Sequence, residues 1–420
     1  QLIMLLRGGD APERKSASTP SLTPTKLTPP TPTERFRKDF CPPPYRIDSV
    51  SLNIDIHEGE THVTSALVVH PQADAAGKPL DLDGELLELK SIEVNGVQLQ
   101  QGQDYVLTYD GLRLLEPPAD VASFELKTVV SIVPEKNSKL SGLYKSGGMY
   151  VTHNEAEGFR RITYFQDRPD VMAKYDVRIE ADSKYPVLLS NGNKVDSGDL
   201  GNGRHWASFS DPFRKPSYLF AAVAGDLAGV EDKFTTMNGR EVQLNVWSEH
   251  DNEAFLDWPM KCLKDAMKWD EETYDREYDL DVYHIVAVND FNMGAMENKG
   301  LNIFNTAAVL AKEGASTDSD FERVLQVVGH EYAHNWSGNR VTVRDWFQVS
   351  LKEGFTRFRE QHFCQDMTSA GLRRIEEANV IRSAQFEQDA GPMAHSVRPE
   401  SYTAIDNFYT VTVYNKGAEV

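Results

Sequence analysis

Two folded units of different class are predicted: an antiparallel, saddle- or sandwich-like β domain over residues 40–228, then a mixed α/β domain over 229–420. Three observations carry this reading. A length of 420 residues allows two or three domains at roughly 150 residues each. From Tyr45 to about residue 130 apolar and polar residues alternate, the period of a half-buried strand. After Asn238-Gly239 the apolar spacing becomes that of amphipathic helices.

Residues 1–39 read as a disordered leader, because Ser16 to Thr33 is almost wholly Ser, Thr and Pro and cannot bury enough apolar surface to offset chain entropy. Leu2–Leu6 with Arg7, Arg14 and Lys15 also allows the remnant of an organelle-targeting segment, against which Asp10 and Glu13 count. Residue 1 is Gln and Val420 falls in an ordered-looking stretch, so the chain reads as a fragment.

Val50, Leu52, Ile54 and Ile56 alternate, turn at His57-Glu58-Gly59-Glu60, and continue through Val63, Ser65, Leu67 and Val69 as a hairpin. Asn95-Gly96 and Asp110-Gly111 read as tight hairpin turns. Phe124, Leu126, Thr128 and Val130 form a further strand. Phe255, Trp258, Cys262, Leu263, Ala266 and Met267 then mark one helix face, with Pro259 as a candidate kink. Tyr283–Val288 is a short apolar strand. Phe321, Val324, Leu325 and Val328 predict a helix capped at Ser319 or Asp320 and running to about Ser337, before Gly338-Asn339.

Lys plus Arg number 44 and Asp plus Glu 64, a net charge of −20. That balance argues against a nucleic-acid binder, which needs a basic footprint, and against adsorption to anionic membranes. It suits cationic partners such as peptide amines. Cys41, Cys262 and Cys364 are too few and too scattered for a disulfide framework or a CxxC metal site. No apolar run approaches the roughly 18 residues of a membrane span. A monomer in an intracellular compartment, the cytoplasm first and a plastid or mitochondrion second, is expected.

The chemistry concentrates in His330-Glu331-Tyr332-Ala333-His334. Histidines at i and i+4 lie one helical turn apart and can share a tetrahedral metal. Glu331 is rotated about 100° from His330 and reaches the place of a metal-activated water. Glu353 follows His334 by 19 positions, in Ser350-Leu351-Lys352-Glu353-Gly354. The spacing HExxH-x18-E is that of the gluzincin peptidases and makes Glu353 the third ligand of one Zn2+. Ser350-x-x-Glu353 also matches a capping box, a role that competes for the same carboxylate. His362 and His395 lack partners at metal spacing and read as surface residues; the charge run Glu271–Asp281 reads as solvated. Asn335-Trp336-Ser337 fits a glycosylation sequon, but on the metal-binding helix it leaves no room for a glycan.

Gly294-Ala295-Met296-Glu297-Asn298 stands about 30 residues before this motif. In combination, GAMEN and HExxH-x18-E resemble the M1 family of zinc aminopeptidases. The resemblance extends from residue 36 to 420 through Arg37-Lys38-Asp39, Glu155-Ala156-Glu157-Gly158-Phe159-Arg160, Asp167-Arg168-Pro169-Asp170-Val171, Leu351-Lys352-Glu353-Gly354 and Tyr414-x-Lys416-Gly417-Ala418-Glu419. It implies a thermolysin-like catalytic domain, incomplete at its C-terminus. It further implies that Glu155 and Glu297 hold the substrate's α-ammonium, that Gly294, Ala295, Met296 and Asn298 line the substrate, that Tyr414 supports the oxyanion, and that Met293 and Tyr409 line the first side-chain pocket. The implied substrates are peptides with free, mainly neutral or basic, N-terminal residues. His153 stands where the family usually has Gln. If protonated it would repel an ammonium; if neutral it could replace the Gln as a hydrogen-bonding wall.

Three other readings stay open. The related epoxide hydrolases carry GGMEN, whereas this chain has Ala295. A peptide-binding protein without turnover, and a zinc endopeptidase, are the others.

Overall fold

A computed structural model describes residues 31–420; the targeting-remnant reading of Leu2–Leu6 lies outside them. The first unit is built on an eight-stranded sheet. Its centre is the predicted hairpin, Tyr45–His57 against Glu60–Pro71, closed by the two-residue turn Glu58-Gly59. Val50, Leu52, Ile54 and Ile56 all face the core, as the alternation requires. Asn95-Gly96 closes the next hairpin with both residues at positive φ (50° and 76°), the type I′ geometry that Asn-Gly supplies. The tight turn at Asp110-Gly111 is shifted by one residue: the Thr108 amide donates to the Gly111 carbonyl at 2.8 Å, so Tyr109-Asp110 make the turn and Gly111 opens the next strand. The sheet is not wholly antiparallel, because Ala173–Asp182 pairs in parallel with Tyr45–His57. A separate four-stranded sheet contains Met149–His153 and Ala222–Gly225.

The second unit centres on a five-stranded mixed sheet. Glu241–Ser248, Val282–Val288 and Leu301–Asn305 run parallel, and Ala295–Met296 forms one edge. Helix α1 spans Asp257–Tyr274. Phe255 precedes it in a separate turn. Pro259 sits in its first turn and kinks nothing, since the amide it lacks has no partner there. A short helix α2, Thr306–Val309, leads to α3, Asp318–Ala333. The cap of α3 is Thr317, in a capping box with Asp320, rather than Ser319 or Asp320 itself. Helix α4 spans Val349–Met367.

Residues 34–39, expected within the disordered leader, are instead structured. Arg35–Phe36 pairs with Ser401–Tyr402, Arg37 pairs with Glu400 at 2.7 Å, and Arg35 with Glu157 at 3.1 Å. Composition missed this because the segment is held by partners distant in sequence. The charge run near Asp281 is also only partly solvated: Asp279 is tied to Lys299 and Arg340. One apolar cluster crosses between the units, joining Met149, Val151 and Val223 to Val286, Val288 and Ile303. This shared core fixes residues 153–155 of the first unit against residues 295–298 of the second. No described helix is long and apolar enough to cross a membrane.

Candidate functional site

Helix α3 buries Val324, Leu325 and Val328, and this face places His330 and His334 beneath α4. The helix ends at Ala333, four residues short of the predicted Ser337. The early end has a use. The chain folds back, so that the Ser337 carbonyl accepts from His334 Nδ1 at 2.8 Å; in a continuing helix that carbonyl would point away along the axis. Asn335 is buried and its Oδ1 accepts from Lys299 at 2.6 Å, so no glycan fits there.

His330 Nδ1 lies 3.0 Å from Glu360 Oε2. With each Nδ1 engaged by Glu360 Oε2 or the Ser337 carbonyl, the two Nε2 atoms are left facing one point, 3.0 Å apart. Glu353 Oε2 lies 3.4 Å from His330 Nε2 and 3.3 Å from His334 Nε2. Two imidazole nitrogens and a carboxylate oxygen turned on one point call for positive charge between them, a proton or a metal ion. Tetrahedral zinc with bonds of about 2.0–2.2 Å separates its ligands by about 3.3–3.5 Å, close to the triangle observed. Burial opposes a charge on His330, yet bonds to Glu353 and Glu360 prevail and push its pKa up to about 10. The surroundings demand positive charge at this point. His330, His334 and Glu353 thus fit a zinc ion. Ser350 lies inside α4, whose N-cap is Gln348, so the alternative capping role of Glu353 is not realised.

Glu331 is buried, and its Oε2 has no hydrogen-bond partner. Burial pushes its carboxyl well above the ordinary range, and Glu297 and Glu353 push further, opposed by His330 and Lys352. Such a carboxyl is poised to take and return a proton.

Glu155, just after strand Met149–His153, and Glu297, just after edge strand Ala295–Met296, come together although 142 residues apart. Each bonds the ammonium of Lys352. Burial raises Glu155, offset in part by Lys352. For Glu297 burial also acts upward, but His334 and Lys352 outweigh it and keep the carboxylate charged.

Tyr414 stacks on His330, with centroids 6.0 Å apart and planes at 24°. Gly354 and Gly417 permit this approach: a Cβ on Gly354 would stand 2.8 Å from the backbone of Gly417. Burial, then Glu353, pushes the Tyr414 phenol well upward, so it remains a donor. Tyr409 donates to Glu155 Oε1 at 2.8 Å. Met293 and Gly294 are exposed on the loop entering the edge strand, and Ala295 is half-buried. Met296 is 1% exposed and packs in the apolar cluster shared by the two units. Asn298 is fully buried and both its side-chain polar atoms lack partners. His362 is exposed as expected, whereas His395 is half-buried on Thr410.

His153 is 4% exposed, stacks on Phe291 with centroids 4.5 Å apart, and has no partner for Nδ1. Burial lowers its pKa to about 4, so it is a neutral wall and not a cation. The folded state refuses a proton that the unfolded chain accepts below about 6.5. Stability from this group is therefore full above that value and is lost as pH falls towards 4. Between pH 7 and pH 5 the H153Q variant should lose about 2 kcal/mol less stability than wild type. Urea unfolding at the two pH values checks this, and equal losses would contradict it.

Sequence reasoning missed Lys352, Glu360 and Thr356. Glu353, Thr356 and Glu360 repeat at i, i+3 and i+7 on α4, a polar stripe that was legible as second-layer support. Thr356 bonds the Ser337 carbonyl at 2.8 Å. Two cavities, of about 890 Å³ beside Trp206 and Trp247 and about 430 Å³ beside Phe40, share none of these residues.

An HExxH helix completed by a glutamate from the next helix defines a gluzincin-type metallopeptidase centre. Residues 42–219 match the peptidase M1 N-terminal domain and residues 258–420 the peptidase family M1 domain. The chain belongs to the M1 peptidase family. It is 54% identical to aminopeptidase N of Caulobacter vibrioides over 382 residues, 91% of this chain and 44% of that protein. It is 49% identical to aminopeptidase N of Escherichia coli, over 93% of this chain and 44% of that protein. The crystal structure of Legionella pneumophila aminopeptidase A in complex with aspartic acid matches with a TM-score of 0.86 at 34% identity, covering 92% of this chain and 44% of that one. The chain thus spans somewhat less than half the length of these relatives.

Proposed function

We propose that the chain carries the catalytic centre of a zinc aminopeptidase that removes single residues from free peptide N-termini. The observation that carries this reading is the pair Glu155 and Glu297, gathered around one ammonium beside the triad His330, His334 and Glu353. An exopeptidase must recognise a charged amine one residue from the bond it cuts, and charge-assisted bonds to two carboxylates do so.

Bound by that triad, a zinc ion would lower the pKa of water towards about 7 and polarise the scissile carbonyl. Glu331 takes the proton from the attacking water and delivers it to the leaving amine. The Tyr414 phenol donates to the oxygen on which negative charge develops. Glu360 and the Ser337 carbonyl hold the imidazole tautomers that leave Nε2 free. The Ala295–Met296 edge can accept a peptide backbone alongside. Neutral and basic first residues are the proposed preference, with Tyr409 and Met293 beside the side chain.

Replacing Glu297 by Gln should lower kcat/KM for an alanine aryl-amide about 10–100-fold, the worth of one charge-assisted bond of about 1.5–3 kcal/mol. The loss should fall mainly on KM, with zinc content unchanged. Unaltered kinetics in E297Q would remove Glu297 from amine recognition.

A further inference from the structure

Lys352 is the residue the mechanism above does not use. Its side chain is 0% exposed. Its ammonium donates to Glu297 Oε1 and stands 2.7 Å from Glu155 Oε1 and 2.7 Å from Glu353 Oε1. The stem is enclosed, since a Cβ on Gly338 would stand 3.1 Å from Lys352 Cγ. The ammonium lies 5.3 Å from the centre of the Tyr218 ring. It cannot swing out to solvent.

Glu353 divides its carboxylate. Oε2 faces the two histidines and Oε1 faces Lys352. One oxygen for each of two adjacent cations is how carboxylates bridge paired metals, which stand about 3.5–4 Å apart in two-metal hydrolases. Glu155, Glu297 and Glu353 moreover bring oxygens within 4.8 Å of one another, as His330, His334 and Glu353 do with their own ligand atoms. The protein therefore has two neighbouring cation positions, and one of them already holds a cation of its own.

We propose that Lys352 is a resident ammonium that fills a second cation position and so keeps the centre mononuclear. This rests on the aminopeptidase reading and deepens it. Four acids, Glu155, Glu297, Glu331 and Glu353, face one divalent ion and Lys352. One formal negative charge then remains, matched by a single substrate ammonium. A second divalent ion in place of Lys352 would cancel that charge and occupy the oxygens that recognise the amine. Lys352 is in this sense a positioning residue, which reserves the acid pair for the N-terminus.

The test is metal content. Wild type, K352S and the double variant K352S/E155Q are dialysed against excess zinc, and bound metal is counted per chain. The expected values are one for wild type, two for K352S, and one again for the double variant, which lacks an acid of the second position. Manganese-loaded K352S should show the exchange-coupled EPR signal of a carboxylate-bridged pair, and wild type should not. A folded K352S with one zinc overturns the proposal, as does a double variant that still holds two, because the extra ion would then lie elsewhere. A K352S chain that stays unfolded in excess zinc overturns it too, since an ion in the vacated position should restore the missing charge. A wild type that takes up no zinc would sink the metallopeptidase reading itself. One zinc in both wild type and K352S would sink only the present proposal.

Discussion

Substituting Glu331 by Gln is expected to lower turnover by about 10²–10⁴-fold, the range contributed by a positioned general base, while leaving one zinc per chain. Gln keeps the size of the side chain, but its amide accepts no proton at neutral pH. Glu331 is not among the metal triad, and its Oε2 has no partner to lose. Removing its buried, unpartnered carboxyl should therefore leave thermal stability unchanged or raise it, the usual pattern where a residue serves chemistry at the expense of packing. Loss of activity together with zinc, or with a lowered melting temperature, would make the residue structural. Turnover within a factor of a few of wild type would remove it from the mechanism.

The second large effect concerns the substrate. Acetylating its N-terminus converts an ammonium into a neutral amide. Glu155 and Glu297 then lose charge-assisted bonds of about 1.5–3 kcal/mol each, a combined effect of about 10²–10⁴-fold on kcat/KM. Both acids are largely enclosed, with side-chain exposures of 9% and 3%, so little water can replace the missing cation. The acetyl group must also fit where an ammonium alone is expected. An endopeptidase would show the opposite order, because its substrates carry no charge at that position.

Much of this centre was legible in the sequence, for reasons that differ from residue to residue. His330, Glu331 and His334 were local: three positions on one helix, fixed by the helical period. Glu353 required only that the next helix return to α3, and its competing capping role disappears once α4 is seen to begin at Val349. Glu155 was different. Nothing local marks it, and its position beside Glu297 depends on the apolar seam between the two units. Resemblance supplied what periodicity could not. Lys352 was passed over inside a quoted motif because its partners are acids 197 and 55 positions earlier. The strap at residues 34–39 was missed for the same reason, with Glu400 and Ser401 as its partners. In the β domain the alternation gave the buried faces correctly, but not the parallel pairing of Ala173–Asp182 with Tyr45–His57. Period two fixes which side chains point inward, not which strand lies alongside.

The central claim is that a metal centre on His330, His334 and Glu353 is gated by two acids that read a free amine. Its most direct test is hydrolysis of alanine aryl-amide against the N-acetylated compound by the zinc-loaded chain. Cleavage of the free amine, at least about 10²-fold faster than of the blocked one, is the predicted result. Equal cleavage of the two, or cleavage of neither by a chain that holds its zinc, would contradict it.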